Sequence, residues 1–320
     1  MTSPLVSADA VRAAAARIRP YIGATPLRRA PTLGEDVWLK LESEQTTGSF
    51  KVRGALNVLA SLSAGERRAG VVASSAGNHG LGLAWAARQF EIPATIFVPR
   101  TAPAVKRDGI AALGAKVDAT APNYDAAHEA ALAHAARTGA RYVDPCSGPD
   151  LLAGQGTVAM EIAEQLPSVW SVIVPVGGGG LLGGMASWFR ATMPRVEIFG
   201  AQSERTAALA KSLAAGRVVP ITDEPTLADG LAGGIEETAL DIAEVSLDAI
   251  ALVTEDDIGS AIALLHREEG LVVEGSGAVG VAALATGALG EVPKPCVIVV
   301  SGRNIDPVRH SEVIAAARGS

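Results

Sequence analysis

Cysteine is nearly absent: Cys146 and Cys296 are the only two in 320 residues, far apart and in no C-x-x-C pair. Neither a disulfide framework nor a cysteine-held zinc site can be built from them, and a reducing, cytoplasmic setting is expected. Clustered basic charge is missing too. The formal net charge is −7 without any Lys/Arg-rich block, so the chain lacks the electrostatic footprint that nucleic-acid phosphates require. No run reaches the roughly 18 apolar residues of a membrane span. The segment from Met1 to Ala16 lacks the basic stretch and apolar core of a secretory signal. A soluble chain acting on small molecules is expected, without nucleic-acid or membrane partners.

Charge is sparse in general, at 19% of residues against roughly 25% in ordinary soluble proteins, while hydrophobic residues reach 48%. The chain therefore has the material for a large core, and its length suggests two domains. Short β-branched runs alternate with Ala-rich helical stretches. Val71 to Ser74 precedes Leu81 to Phe90, Ala94 to Val98 precedes a helix near Ala104 to Leu113, and Val172 to Val176 precedes a glycine run. Val196 to Phe199 and Val297 to Val300 continue the series with little polar alternation, as in parallel sheets buried on both faces. Loops are expected around Ser61 to Gly65 and Asp144 to Pro149, where turn formers concentrate.

Four stretches carry chemistry. The run Gly177-Gly178-Gly179-Gly180-Leu181-Leu182-Gly183-Gly184 follows a strand and opens a helix, an arrangement whose bare amides suit a phosphate. It also matches G-x-G-x-x-G, the dinucleotide signature of a nicotinamide-dependent oxidoreductase. That reading wants an acidic residue at the tip of the next strand, where Gln202 and Ser203 stand instead. A tight strand-to-helix crossing would need small residues as well. Lys51, in Ser49-Phe50-Lys51-Val52-Arg53-Gly54-Ala55, lies in a mostly apolar stretch, where desolvation would ease loss of its proton and formation of an imine. Taken alone it reads more readily as a lysine on a helix surface. Ser74-Ser75-Ala76-Gly77-Asn78-His79-Gly80 gathers hydroxyls, an amide and backbone N–H groups at one helix start, more than capping alone needs. Ser301-Gly302-Arg303-Asn304 ends a strand, where open α/β sheets bind ligands, although a turn accounts for it too.

In their order along the chain, and with Glu224 to Gly230 and Glu274 to Gly280, these motifs resemble the serine/threonine dehydratase and serine racemase family of pyridoxal-5'-phosphate (PLP) enzymes. The resemblance covers nearly the whole chain. It implies the fold type II architecture of the tryptophan-synthase-β-like class, an α/β fold with two open, twisted, largely parallel sheets flanked by helices. Residues 1–63 and 148–320 would form a large PLP-binding domain and residues 64–147 a small domain that closes over the substrate. By the same resemblance Lys51 holds the cofactor covalently and takes the substrate's α-proton. Phe50 packs beside the cofactor, Asn78 meets its phenolic oxygen, Gly177, Gly178, Gly179, Gly180 and Leu181 cradle its phosphate, and Ser301 faces its pyridine nitrogen. Ser75, Ala76, Asn78 and His79 line the substrate. A neutral hydroxyl opposite the pyridine nitrogen makes a weaker electron sink than a carboxylate would allow, which favours elimination over transamination. The implied activity is loss of water from a β-hydroxy amino acid such as L-threonine or L-serine, giving a 2-oxo acid and ammonia, in a homodimer or homotetramer.

Within that family the sequence departs from the racemases at two places. Ala76 stands where they carry a second acid, a serine, and Gln202 and Ala208 stand where they bind a divalent cation, so a dehydratase without a metal is expected. His128 and His134, six apart, have the wrong spacing for joint ligation and are expected on a helix surface. Cys146 falls where the family lines its pocket. The substrate stays open between threonine, serine, 3-hydroxyaspartate and larger relatives, with Arg303 a point of attraction for an extra negative charge or a solvent-facing side chain. The chain ends at Ser320 without the regulatory domain of biosynthetic threonine dehydratases, so feedback by isoleucine is not expected. Three rivals remain: β-replacement with a thiol nucleophile, a nicotinamide-dependent oxidoreductase, and a non-catalytic PLP-binding sensor.

Overall fold

The computed structural model describes residues 4–222 and 224–317. Among them, ten strands form two sheets. In chain order they are β1 (Leu27–Arg29), β2 (Val37–Lys40), β3 (Val71–Ser74), β4 (Ala94–Pro99), β5 (Lys116–Ala121), β6 (Arg141–Tyr142), β7 (Ser171–Pro175), β8 (Glu197–Ser203), β9 (Ala249–Val253) and β10 (Cys296–Val299). Six strands run in the order β1-β2-β10-β7-β8-β9, and four, all between residues 71 and 142, run β5-β4-β3-β6. Every pairing is parallel except β1 with β2. The expectation of two largely parallel sheets flanked by helices is met.

The central strands are apolar at consecutive positions because both faces are covered. In β7, Ile173 enters one hydrophobic cluster while Val172 and Val174 enter the other. In β10, Ile298 and Cys296 divide in the same way from Val297 and Val299. The two-residue period of the strand sends alternate side chains into different cores. A third cluster, built on Val71, Ala73, Ile96 and Val98, fills the space between the smaller sheet and the helices beside it.

Three helices carry the starts of the chemical motifs: Lys51–Ser61, Asn78–Gln89 and Gly180–Thr192. Helix Pro149–Gln165 locks the first and the last together through small residues. A Cβ at Gly154 would lie 2.7 Å from Arg53 O, and one at Gly184 would lie 2.5 Å from Gly156 N. At such separations only hydrogen fits, so glycine permits a backbone approach that brings both helix starts to one end of the bundle. The loop expected around Ser61 to Gly65 is instead a helix boundary. Ser63 caps helix Ala64–Ala69 in a capping box with Glu66, which organises the turn formers into a helix start.

Candidate active site

The site lies at the carboxyl ends of β3, β6, β7 and β10, as the open-sheet rule requires. Ser49 bridges to Gly302, and the Phe50 N–H donates to Ser301 O at 3.1 Å, so the lysine motif is laid directly against the end of β10. Lys51 is the first residue of its helix and only partly buried. Its Nζ donates to Pro145 O at 2.8 Å, stands 3.9 Å from Cys146 Sγ and lies 5.2 Å from the centre of the Phe50 ring. No carboxylate pairs with it among the described residues. An amine held by a carbonyl, instead of neutralised by an acid, is free to be exchanged into a covalent bond. The carbonyl comes from the Asp144 to Pro149 segment. That loop is held in place by Asp144, whose carboxylate accepts from the amides of Cys146 and Ser147 at 2.7 and 2.8 Å.

The segment after β3 bends over the same space. The Ser75 N–H donates to Phe97 O, and Ser75 Oγ accepts from the Gly77 N–H at 3.2 Å, which leaves residues 76–79 at the helix start. Ala76 packs its methyl group against the core of the smaller sheet. His79 Nε2 donates to Val143 O at 2.9 Å, while burial and the nearby Lys51 ammonium hold the imidazole down at about 4. The ring is therefore neutral with its only N–H already used. Any grip of residue 79 on a carboxylate falls to its main-chain amide.

His128 overturns the expectation of a surface position. Its Nδ1 lies 3.2 Å from Ser74 Oγ and 3.0 Å from Tyr142 OH, and those two hydroxyls are 3.2 Å apart. Burial pushes the Tyr142 phenol up to about 12. The ladder between β3 and β6 brings Ser74 and Tyr142 together under helix Tyr124–Thr138, so the inner face of that helix receives a polar residue. The His134 ring packs against Phe97 in a tilted arrangement, with ring centres 5.5 Å apart and planes at 58°.

Across the crevice, Gly179 has φ +87 and precedes helix Gly180–Thr192. That left-handed conformation suits glycine, and it turns successive amides toward one point. The amides of Gly178 and Gly179 have no hydrogen-bond partner among the described residues. A side chain on Gly178 would meet Cys146 Sγ at 2.6 Å, so the glycine loop and the Cys146 loop face each other with no room for a Cβ between them. Unpartnered amides at a helix start beside an unneutralised lysine are the donor set that a phosphorylated aldehyde requires.

The sequence profile of the pyridoxal-phosphate-dependent enzymes matches residues 18–302. The chain belongs to that family. It is 41% identical over 307 residues to the L-threonine ammonia-lyase of Thermotoga maritima, covering 94% of this chain and 76% of that protein. Among solved structures it resembles maize serine racemase, with a TM-score of 0.92, 30% identity and 98% of each chain covered. The processed form of threonine deaminase isoform 2 from Solanum lycopersicum gives a TM-score of 0.90 at 31% identity, covering 99% of this chain and 91% of that one. Membership of the PLP family sets aside the nicotinamide reading of the glycine run.

For a PLP enzyme, the remaining contacts define how the cofactor ring would be framed. Ser301 is buried and its hydroxyl donates to Ser276 O at a long 3.4 Å, so it can turn to another partner at little cost. Asn78 is held between Glu274 and Asn304, two side chains to which sequence reading attached no role. Their signal was their place inside the family's motifs. Gln202 is fully buried and spends its amide on Val176 O, Thr206 O and the Ala210 N–H. Arg303 is exposed and lines a surface hollow with Ser43, Glu44 and Val272, so the structure does not bring it to Lys51. Among the described residues no helix is long and apolar enough to cross a membrane.

Proposed function

We propose that the protein is a PLP-dependent ammonia-lyase that eliminates water from L-threonine, L-serine or a close β-hydroxy relative. The observation that carries this reading is the meeting, in one crevice, of Lys51 without an acid partner and the unpartnered amides of the glycine loop. Likeness over 94% of the chain to a protein named L-threonine ammonia-lyase supports the substrate class. Bound PLP supplies an electron sink for the substrate's α-carbon, which makes the α-proton removable and lets the β-hydroxyl leave.

The protein's own part is to hold and to move protons. Amides of Gly177, Gly178, Gly179, Gly180 and Leu181 hold the phosphate, Phe50 flanks the ring, Asn78 donates to the phenolic oxygen, and Ser301 meets the pyridine nitrogen. The hydroxyl of Ser75, the Asn78 side chain and the main-chain amides from Ala76 to His79 take the substrate carboxylate. Lys51 Nζ removes the α-proton. The released enamine then hydrolyses to a 2-oxo acid and ammonia. Residues 64–147 act as a small domain closing over the substrate held by the large domain, residues 1–63 and 148–320, in a cytoplasmic homodimer or homotetramer. The free thiols of Cys146 and Cys296 fit such a compartment.

A panel of β-hydroxy amino acids assayed for 2-oxo acid, with no thiol added, tests the reading. Threonine and serine should be turned over, and a requirement for added thiol would favour β-replacement instead. The likeness to maize serine racemase makes racemisation the second reading. Lys51 serves one face of the substrate only, and Ala76 has no proton to give the other. Wild-type protein should therefore yield 2-oxo acid with little mirror-image amino acid. Ala76→Ser should raise racemisation relative to elimination about tenfold, less than the roughly 10²–10⁴ that a well-positioned acid supplies because the new hydroxyl is imperfectly placed. Chiral chromatography reads both, and rapid racemisation by the unmutated protein would reverse the assignment.

A further inference from the structure

Asn78 is gripped by two residues that lie 196 and 226 positions away in sequence. The orientation of its amide follows from a fixed point. Thr47 O is a main-chain carbonyl and accepts only, and Asn304 Nδ2 donates to it at 2.8 Å. The same nitrogen donates to Asn78 at 2.6 Å, so the Asn78 atom facing it is Oδ1. Asn78 Nδ2 then points the other way and donates to Glu274 Oε1 at 2.7 Å. One N–H of Asn78 is thereby used, and the second has no partner among the described residues.

Glu274 itself is 6% exposed and has no cation in contact. A buried carboxyl group without a cation is costly, and here hydrogen bonds from Asn78 and the Asn304 main chain offset that cost. We propose that Glu274 is a positioning residue for the cofactor: it fixes the Asn78 amide so that the free N–H meets the phenolic oxygen, and its charge is transmitted through that amide to the ring. This rests on the reading that Asn78 adjoins that oxygen.

Burial, together with the Asp229 carboxylate, pushes Glu274 up to about 7. The charged groups acting on it come from two elements: Asp229 at the turn Asp229–Leu231, which raises it, and Lys106 on helix Ala104–Ala112, which lowers it. The two pair with each other at 3.3 Å, and the Asn304 main-chain N–H also donates to Glu274. Below about 7 the carboxyl is neutral and leaves the phenolic oxygen beside an uncharged network. Above it, a negative charge stands one side chain away from the oxygen and opposes its ionisation. The charge state of the bound cofactor is thus tied to a group that never touches it.

The test is a pH titration of the visible absorption of the PLP-loaded enzyme. Wild type should show a transition centred near 7, and Glu274→Gln should lose it while still binding PLP. Asp229→Asn and Lys106→Gln alter two partly or largely exposed residues and leave the Asn78 contacts intact. They should move the midpoint in opposite directions, down and up respectively, by on the order of half a unit, because exposed charges act through screened fields. A transition that persists in Glu274→Gln, or a midpoint unmoved by both surface variants, would overturn the proposal. Should Glu274→Gln fail to fold, the surface pair still decides. Failure of wild type to form any visible band with PLP would instead sink the cofactor reading beneath it.

Discussion

Lys51→Ala loses turnover by at least about 10³-fold while retaining weak affinity for PLP. The two effects separate because they rest on different parts of the molecule. The proposed anion site consists of main-chain amides before and within the first turn of helix Gly180–Thr192, and the substitution removes none of them. The amine is another matter, since in the proposed mechanism it would both hold the cofactor covalently and move the α-proton, and among the described residues no other lysine is hydrogen-bonded into this loop cluster. Equilibrium binding of PLP, followed beside 2-oxo acid formation, distinguishes the outcomes. In the wild type, borohydride reduction should fix the cofactor to Lys51, as read by mass spectrometry of peptides. An adduct on another lysine, or near-normal turnover in the variant, removes Lys51 from the mechanism.

The second large effect is on stability, two residues further along the same helix. Arg53 is 1% exposed, and its guanidinium donates to Glu42 at 2.7 and 2.8 Å and to Glu161 at 2.6 and 2.8 Å. Lys40, also fully buried, donates to Glu161 at 2.6 Å, to Gln165 and to Thr25 O. Burial alone would raise the Glu161 carboxyl, but Arg53 and Lys40 outweigh it and hold the group below the usual range. The cluster joins β2, the lysine helix and helix Pro149–Gln165. Arg53→Met would leave two interior carboxylates facing one ammonium, at a cost of about 3–5 kcal/mol. That is a large share of the roughly 5–15 kcal/mol that holds a typical domain folded. Urea unfolding of the cofactor-free protein should show it, and adding Glu42→Gln should restore part of the loss by removing the stranded charge. A change below about 1 kcal/mol would mean that water reaches the cluster and screens it.

Legibility in the sequence followed burial. Strands β7 and β10 are readable because both faces are covered, which makes Val172 to Val174 and Cys296 to Val299 apolar at consecutive positions. Strand β1 is three residues with two arginines, β5 reads KVDATA and β6 is two residues long, so no periodicity could announce them. They are strands because neighbours supply the ladder. Spacing along one helix speaks only to that helix, so the sequence alone puts His128 on the surface. Its partners Ser74 and Tyr142 lie 54 and 14 residues away and are adjacent only through the pairing of β3 with β6.

The sequence by itself determined the parts: a lysine in an apolar setting, a glycine run at a helix start, a polar loop and a strand-end serine, each local because it depends on backbone conformation and neighbouring residues. Which of those parts lie against one another was decided by the tertiary structure. Close contacts at Gly154 and Gly184 bring two helix starts together, Ser49 is bridged to Gly302, and Asn78 is clasped by Glu274 and Asn304 from distant segments. The fold also took away what the sequence offered, turning the His79 ring N–H to a carbonyl and Arg303 to the surface. The physical reason is that a side chain's hydrogen-bonding capacity is set by its chemistry, while the partner that uses it is set by packing between segments far apart along the chain.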